Sequence, residues 1–139
     1  TTTRDRAAGA TGTGGLGSMA AGVAARVTYA GYFFDALGRP TATVDVGTNG
    51  GAAWTRPAAV PPRSDTDLVT TYGYDAGGRP SAVTGADGVT DATAYDLLGR
   101  VVSTTAAAGT AVAFTTTYAY DGNGRLETAT APGGRVTRY

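Results

Sequence analysis

The sequence predicts an all-β fold, built as an antiparallel ribbon of β-hairpins. Three observations point to it. A short pattern of one aromatic residue, an aspartate, two variable residues, a glycine and an arginine occurs four times along the 139 residues. A second, softer turn signal falls between the copies, so turns recur at the short spacing typical of all-β chains. The composition is rich in Thr, Val, Ala and Gly, with 8 Tyr, one Met and no Ile. Such residues suit a pleated, half-buried sheet better than a helical core.

In chain order, residues 1–27 form a Gly/Ala/Thr-rich segment, read as irregular or as linking strands. Within it, "GTGGLG" at 12–17 meets the spacing of a dinucleotide-binding loop. That loop needs an apolar strand before it and an acidic residue placed for a ribose. The preceding "TTTRDRAAGA" is polar and small, and the acidic residue at a suitable distance, Asp35, belongs to the repeated pattern. A Gly-rich connecting loop is the better reading.

Residues 28–46 carry the first, degenerate copy, "FDALGR". Residues 47–67 are a Pro/Gly-rich insertion containing Trp54, the only tryptophan. Its proline cluster favours an extended path. Trp54 is read either as a pin holding this loop to the sheet or as a ligand platform, the first being the usual role of a large aromatic. Residues 68–139 hold three further copies and the start of another, signalled by the final "GRVTRY". Strands are expected at 68–74, 79–85, 89–95, 100–106, 111–120, 125–131 and 135–139.

The four copies align as Phe34, Asp35, Gly38 and Arg39; Tyr74, Asp75, Gly78 and Arg79; Tyr95, Asp96, Gly99 and Arg100; Tyr120, Asp121, Gly124 and Arg125. Three copies add a second tyrosine two residues earlier: Tyr32, Tyr72 and Tyr118. Aspartate at the first position of a type I turn accepts bonds from backbone amides further on. Glycine three residues later takes the left-handed conformation that closes the hairpin as a bulge. The arginine then leads into the next strand, with its stem free to lie across a neighbouring tyrosine (about 0.5–1 kcal/mol at an exposed site). Pro40 and Pro80 follow two of the arginines and belong at strand starts or non-bonded positions. Between the copies, "TNGG" at 48–51, "ADGV" at 86–89, "AAGT" at 107–110 and "PGGR" at 132–135 supply the alternate turns.

Composition removes several functions. With no Cys and no His, thiolate nucleophiles, imidazole bases, Ser-His-Asp triads and the common zinc ligands are all missing. The 11 basic residues balance 11 acidic ones, and all the basic residues are scattered arginines, so no basic footprint marks a nucleic-acid or anionic-membrane partner. Apolar runs are short and broken by glycine, too short to span a bilayer as helices. No apolar region of the secretory kind follows the opening residues. Asp65 with Asp67, and Asp87 with Asp91, are the closest carboxylate pairs, yet neither has the dense oxygen-ligand spacing of a calcium loop. Turn and cap roles account for them. No catalytic, cofactor-binding or metal-binding residue is therefore assigned, and the chain is read as non-enzymatic.

The motifs "TYGYDAGGRP", "ATAYDLLGRVV" and "TYAYDGNGRLETATAPGGRVTRY" resemble the YD repeat of the Rhs family. The resemblance covers roughly residues 28–46 and 68 to the end. It implies a YD-repeat β-hairpin ribbon that is a fragment of a larger β-shell or extended sheet assembly. Family members include bacterial polymorphic toxins, shell subunits of insecticidal toxin complexes, wall-associated proteins and teneurins. The resemblance therefore implies a structural segment, secreted or at a bacterial cell surface, with toxin encapsulation as the role of the parent. Its partners would be neighbouring repeats, or further copies joined through edge strands into an oligomer or fibre. The alternative is a cell-surface adhesion or carbohydrate-binding module, with Trp54 and the tyrosine rows as a glycan platform. The aspartates used by bacterial members for self-cleavage, in a core block before the toxin, have no counterpart in this sequence.

Overall fold

The tyrosine-, threonine- and valine-rich stretches pair with their sequence neighbours, and the result is antiparallel β-structure throughout. The computed structural model describes residues 2–6 and 25–139. Among these, the regular structure is all strand except for one 3-10 turn, Asn49–Gly51. The strands are β1 (Thr2–Arg6), β2 (Ala25–Phe34), β3 (Pro40–Gly47), β4 (Leu68–Tyr74), β5 (Pro80–Thr84), β6 (Thr90–Tyr95), β7 (Val101–Ala108), β8 (Phe114–Tyr120), β9 (Leu126–Thr130) and β10 (Val136–Arg138). No helix among the described residues is long and apolar enough to cross a membrane. The "GTGGLG" stretch lies outside the described residues. The strand at Thr2–Arg6 was not expected from a segment so polar and short. Its pairing with Ala25–Tyr29 of β2 supplies the backbone partners that local composition does not advertise.

The chain divides into two units, Thr1–Val69 and Thr70–Tyr139. In the first, β2 pairs with β1 on one side and with β3 on the other. The register sets Gly31 opposite Val44 and Phe33 opposite Ala42. Alternation along a strand puts those residues on one face, and that face carries the core. Phe33, Ala42, Val44 and Val69 are buried there, with Val46 packed against them. Burying a side chain the size of Phe33 or Val44 stabilises by roughly 1.5–3 kcal/mol, so this small cluster matters to a unit of its size.

The Pro/Gly-rich insertion folds back over this face. The Trp54 ring lies so close to Gly31 that a β-carbon there would stand 2.7 Å from its Cη2 atom. On the other side the ring meets Tyr29, with centroids 6.4 Å apart. Two residues on, the Arg56 guanidinium stands 5.2 Å from the centre of the Phe33 ring, and Nη1 donates to the Tyr32 carbonyl at 3.0 Å. The loop is thus held down by one ring and one cation, with glycine at position 31 making the room.

The second unit has a different character. From β4 to β10 each strand pairs with the next in an antiparallel meander. No described residue beyond Val69 is buried. One face is made almost wholly of small side chains in register. Thr71, Thr84 and Thr90 form one row across it; Gly73, Ala82, Ala92, Thr105 and Thr115 form another. Hydroxyls meet along these rows, Thr84 with Thr90 at 2.8 Å and Thr105 with Thr115 at 3.0 Å. The tyrosines stand on the opposite face, with Tyr72 across from Val83 and Tyr118 across from Ala129. Without a buried layer, this unit relies on strand pairing and on side-chain contacts along the faces.

One irregularity recurs. Where the aromatic residue of each copy meets the strand that follows its turn, the register slips by one residue, between Phe33 and Phe34, Gly73 and Tyr74, Ala94 and Tyr95, and Ala119 and Tyr120. The residue two places after each arginine, Thr41, Ser81, Val102 and Glu127, is the extra one. These are β-bulges, which bend a strand and increase its local twist. Pro40 and Pro80 are the first residues of β3 and β5, where the missing N–H interrupts no ladder.

Candidate functional site

The chemistry-bearing residues of the chain gather at the repeated turns, and the turn is built from its aspartate outward. In the first copy, the Asp35 N–H donates to the Arg39 carbonyl at 2.9 Å and the Gly38 N–H donates to the Asp35 carbonyl at 3.0 Å. The same two bonds recur at Asp75 with Arg79 and Gly78, Asp96 with Arg100 and Gly99, and Asp121 with Arg125 and Gly124. The closing glycines have φ of 77°, 78°, 83° and 81°. That is a type I turn closed by a left-handed residue, a conformation in which a β-carbon is disfavoured.

The aspartate side chain then fastens the turn from inside. Its Oδ1 accepts the N–H of the residue two places on, from Leu37, Leu98 and Asn123 at 2.9 Å each. The same oxygen accepts the N–H of the arginine, at 2.9 Å for Arg39, 2.8 Å for Arg79, 2.9 Å for Arg100 and 2.8 Å for Arg125. Oδ2 meets the guanidinium Nε at 2.7 Å in the first three copies and 3.1 Å in the last. One carboxylate therefore ties two backbone amides and one guanidinium. The arginine backbone N–H chiefly, with the guanidinium adding to it, holds each of these four carboxyls below the ordinary aspartate range, against partial desolvation that pushes the other way.

The arginine also reaches into the next copy. The Arg79 guanidinium carbon stands 4.6 Å from the centre of the Tyr95 ring, and its Nη1 donates to the Asp96 carbonyl at 3.0 Å. Arg100 repeats the stacking on Tyr120 at 4.5 Å. The tyrosine answers in return, since the Tyr95 hydroxyl donates to the Pro80 carbonyl and the Tyr120 hydroxyl to the Val101 carbonyl, each at 2.8 Å. Each such contact joins the residue after one turn to the residue before the next, across a hairpin. Arg125 differs: its side chain is 76% exposed, and among the described residues Asp121 is its one side-chain partner. It borders a cleft of about 340 Å³ together with Leu126, Glu127 and Tyr139.

Several of the remaining carboxylates bond the backbone or a nearby hydroxyl. Asp87 Oδ1 accepts the Val89 N–H at 3.0 Å inside the 85–89 turn. Asp91 Oδ1 accepts the Ala107 N–H at 3.1 Å, capping a second irregularity in β7 where Ala107 has a φ of 51°. Asp67 is tied to Ser64, whose Oγ accepts the Asp67 N–H at 3.0 Å. Among the described residues no group of three metal-ligating side chains forms. Trp54 is half-buried over Gly31.

Sequence reasoning had no means of pairing each arginine with the tyrosine of the following copy. The separation is not constant, running from Arg79 to Tyr95 in one case and from Arg100 to Tyr120 in the other, because the second hairpin is longer. Nor did it find the further bulge two residues after each arginine, beyond the one expected at the closing glycine, because its extra residue differs in every copy.

A family model described as RHS Repeat matches residues 63–90 and 95–136, together half of the chain. No curated protein matches the chain.

Proposed function

Since the chain belongs to the RHS-repeat family, we propose that its four turn clasps are joints of a β wall. In that reading the chain is a length of antiparallel ribbon in a shell or extended sheet of a longer protein that works outside the cell or at its surface. The chain is a structural repeat segment, and its function belongs to the assembly that the repeats build. Encapsulation of a toxin in the parent is the role we assign to such a wall. Its partners are neighbouring repeats, and for the separated chain, further copies joined edge to edge.

One observation carries this reading: the clasped turns of the second unit are linked in succession, with Arg79 on Tyr95 and Arg100 on Tyr120. Groups used in this way serve cohesion between copies. Guanidinium, carboxylate and phenol are each engaged with a neighbour. The Trp54 ring is likewise occupied by Gly31 and Tyr29, which supports a structural use for it over a glycan platform.

The test is sedimentation of the purified chain over a wide concentration range, with circular dichroism recorded alongside. Exposed edge strands such as β10 lead to association between chains, so mass should rise with concentration while the β signal is kept. A monomer at all concentrations with a fully cooperative unfolding transition would sink the proposal. A glycan array with reproducible hits, lost on Trp54→Ala, would move the function to adhesion.

A further inference from the structure

We propose that Asn49 is a site of spontaneous deamidation, the Asn49–Gly50 peptide converting to aspartate and isoaspartate in the folded protein. The chemistry needs only water. The Gly50 backbone nitrogen, having lost its proton to solvent, attacks Asn49 Cγ and forms a new C–N bond. The Cγ–Nδ2 bond breaks and ammonia leaves with a proton from solvent. Water then opens the cyclic imide at either carbonyl. One water is consumed and one ammonia released, with no change of oxidation state.

The described residues contain four pairs in which glycine follows an asparagine or aspartate: Asn49–Gly50, Asp87–Gly88, Asp121–Gly122 and Asn123–Gly124, and the Asp121 carboxylate is taken up by its clasp. Glycine offers no side chain to obstruct the attack, so sequence alone ranks the two asparagines equally. The structure separates them. The Gly124 N–H is committed to the Asp121 carbonyl at 2.9 Å, inside a turn that Asp121 and Arg125 also clasp. The Gly88 N–H is committed to the Gly85 carbonyl at 3.0 Å, and the Asp87 carboxylate is itself held by the Val89 N–H.

Among the described residues the Gly50 N–H has no such commitment. The nearby carbonyls are taken by other donors, Thr48 by the Gly51 N–H at 2.9 Å and Asn49 by the Ala52 N–H at 3.0 Å. The turn holds Asn49, Gly50 and Gly51 in succession in the left-handed region, at φ of 48°, 61° and 84°. What holds the carboxamide is a pair of long bonds, Nδ2 donating to the Ala52 carbonyl at 3.2 Å and to the Ala53 carbonyl at 3.3 Å.

The product cannot keep that pair. A carboxylate has no donor, so its oxygens would face two carbonyl oxygens. It would also add a third negative group to a cleft of about 450 Å³ already lined by Asp45 and Asp65. Deamidation therefore loosens the start of the loop that carries Trp54.

The experiment incubates the full chain at mildly alkaline pH, in native buffer and in guanidinium. Cleavage before aspartate, mass spectrometry and methyl transfer by isoaspartyl methyltransferase then read the Asn49 and Asn123 peptides. In native buffer Asn49 should react roughly tenfold faster than Asn123, the factor expected from one retained hydrogen bond. In guanidinium the two rates should converge. Equal rates in native buffer, or a ratio that survives guanidinium, would overturn the proposal. So would a rate at Asn49 unchanged by Gly50→Ala.

Discussion

Arg79 lies over the ring of Tyr95 with its guanidinium carbon 4.6 Å from the centroid, while its Nε holds Asp75 at 2.7 Å. One side chain thus closes its own turn and grips the next. A double-mutant cycle with Arg79→Ala and Tyr95→Leu should give a coupling of about 0.5–1 kcal/mol for the stacked pair. Urea unfolding of the four proteins measures it. Additive effects would show the stacking to be incidental.

Tyr95→Phe and Tyr120→Phe keep the ring and delete the hydroxyl that reaches a carbonyl at 2.8 Å. Each should lower stability by about 0.5–1.5 kcal/mol. Tyr118→Phe should cost less, because its contact with Thr104 is 3.4 Å. Thermal melts of the three variants give the ranking.

Gly99 sits at a φ of 83°. Gly99→Val should destabilise by about 1–3 kcal/mol through backbone strain alone. Gly99→Asn should cost clearly less, since asparagine tolerates the left-handed region. Equal losses from the two variants would place the cause in side-chain crowding against Arg79 instead of in φ.

Acid should unfold the repeats through their aspartates. Each of the four clasp carboxyls titrates lower in the folded chain than in the unfolded one. The unfolded state therefore binds more protons in acid. The stabilisation is complete above the ordinary aspartate value of about 3.9 and is lost as pH falls through the depressed native values. Urea midpoints recorded from neutral to acid pH should show this fall. Asp96→Asn should flatten it, because one of the titrating clasps is then gone.

Gly31→Ala places a β-carbon 2.7 Å from the Trp54 ring. The ring must shift off the sheet, and the emission of this single tryptophan should move to the red. An unchanged spectrum would mean that the loop re-seats without exposing the ring.

The fold class was legible because turn chemistry is local. Asp, Gly and Arg at fixed spacing specify a closed hairpin whatever lies around it, and the strands from Leu68 to Arg138 fall within the stretches expected between those turns, except that β7 runs on to Ala108, two residues into the turn expected at 107–110. What stayed hidden depends on partners distant in sequence. The landing of Arg79 on Tyr95 needs the length of the intervening hairpin. The grip of Arg56 on Phe33 needs the return path of a proline-rich loop. The capping of Ala107 by Asp91 needs a register that no single strand encodes. β1 was missed because Thr2–Arg6 has no apolar face, its pairing resting on β2.

The absence of any buried side chain beyond Val69 has a consequence for descent. Where a protein is organised around an interior, gaining or losing a segment disturbs residues from every part of the chain. In the ribbon from β4 to β10, a duplicated or deleted hairpin changes only its two neighbours, each of which already presents the contacts that a copy requires. Unequal exchange between copies can therefore lengthen or shorten such a chain by whole hairpins without compensating substitutions elsewhere.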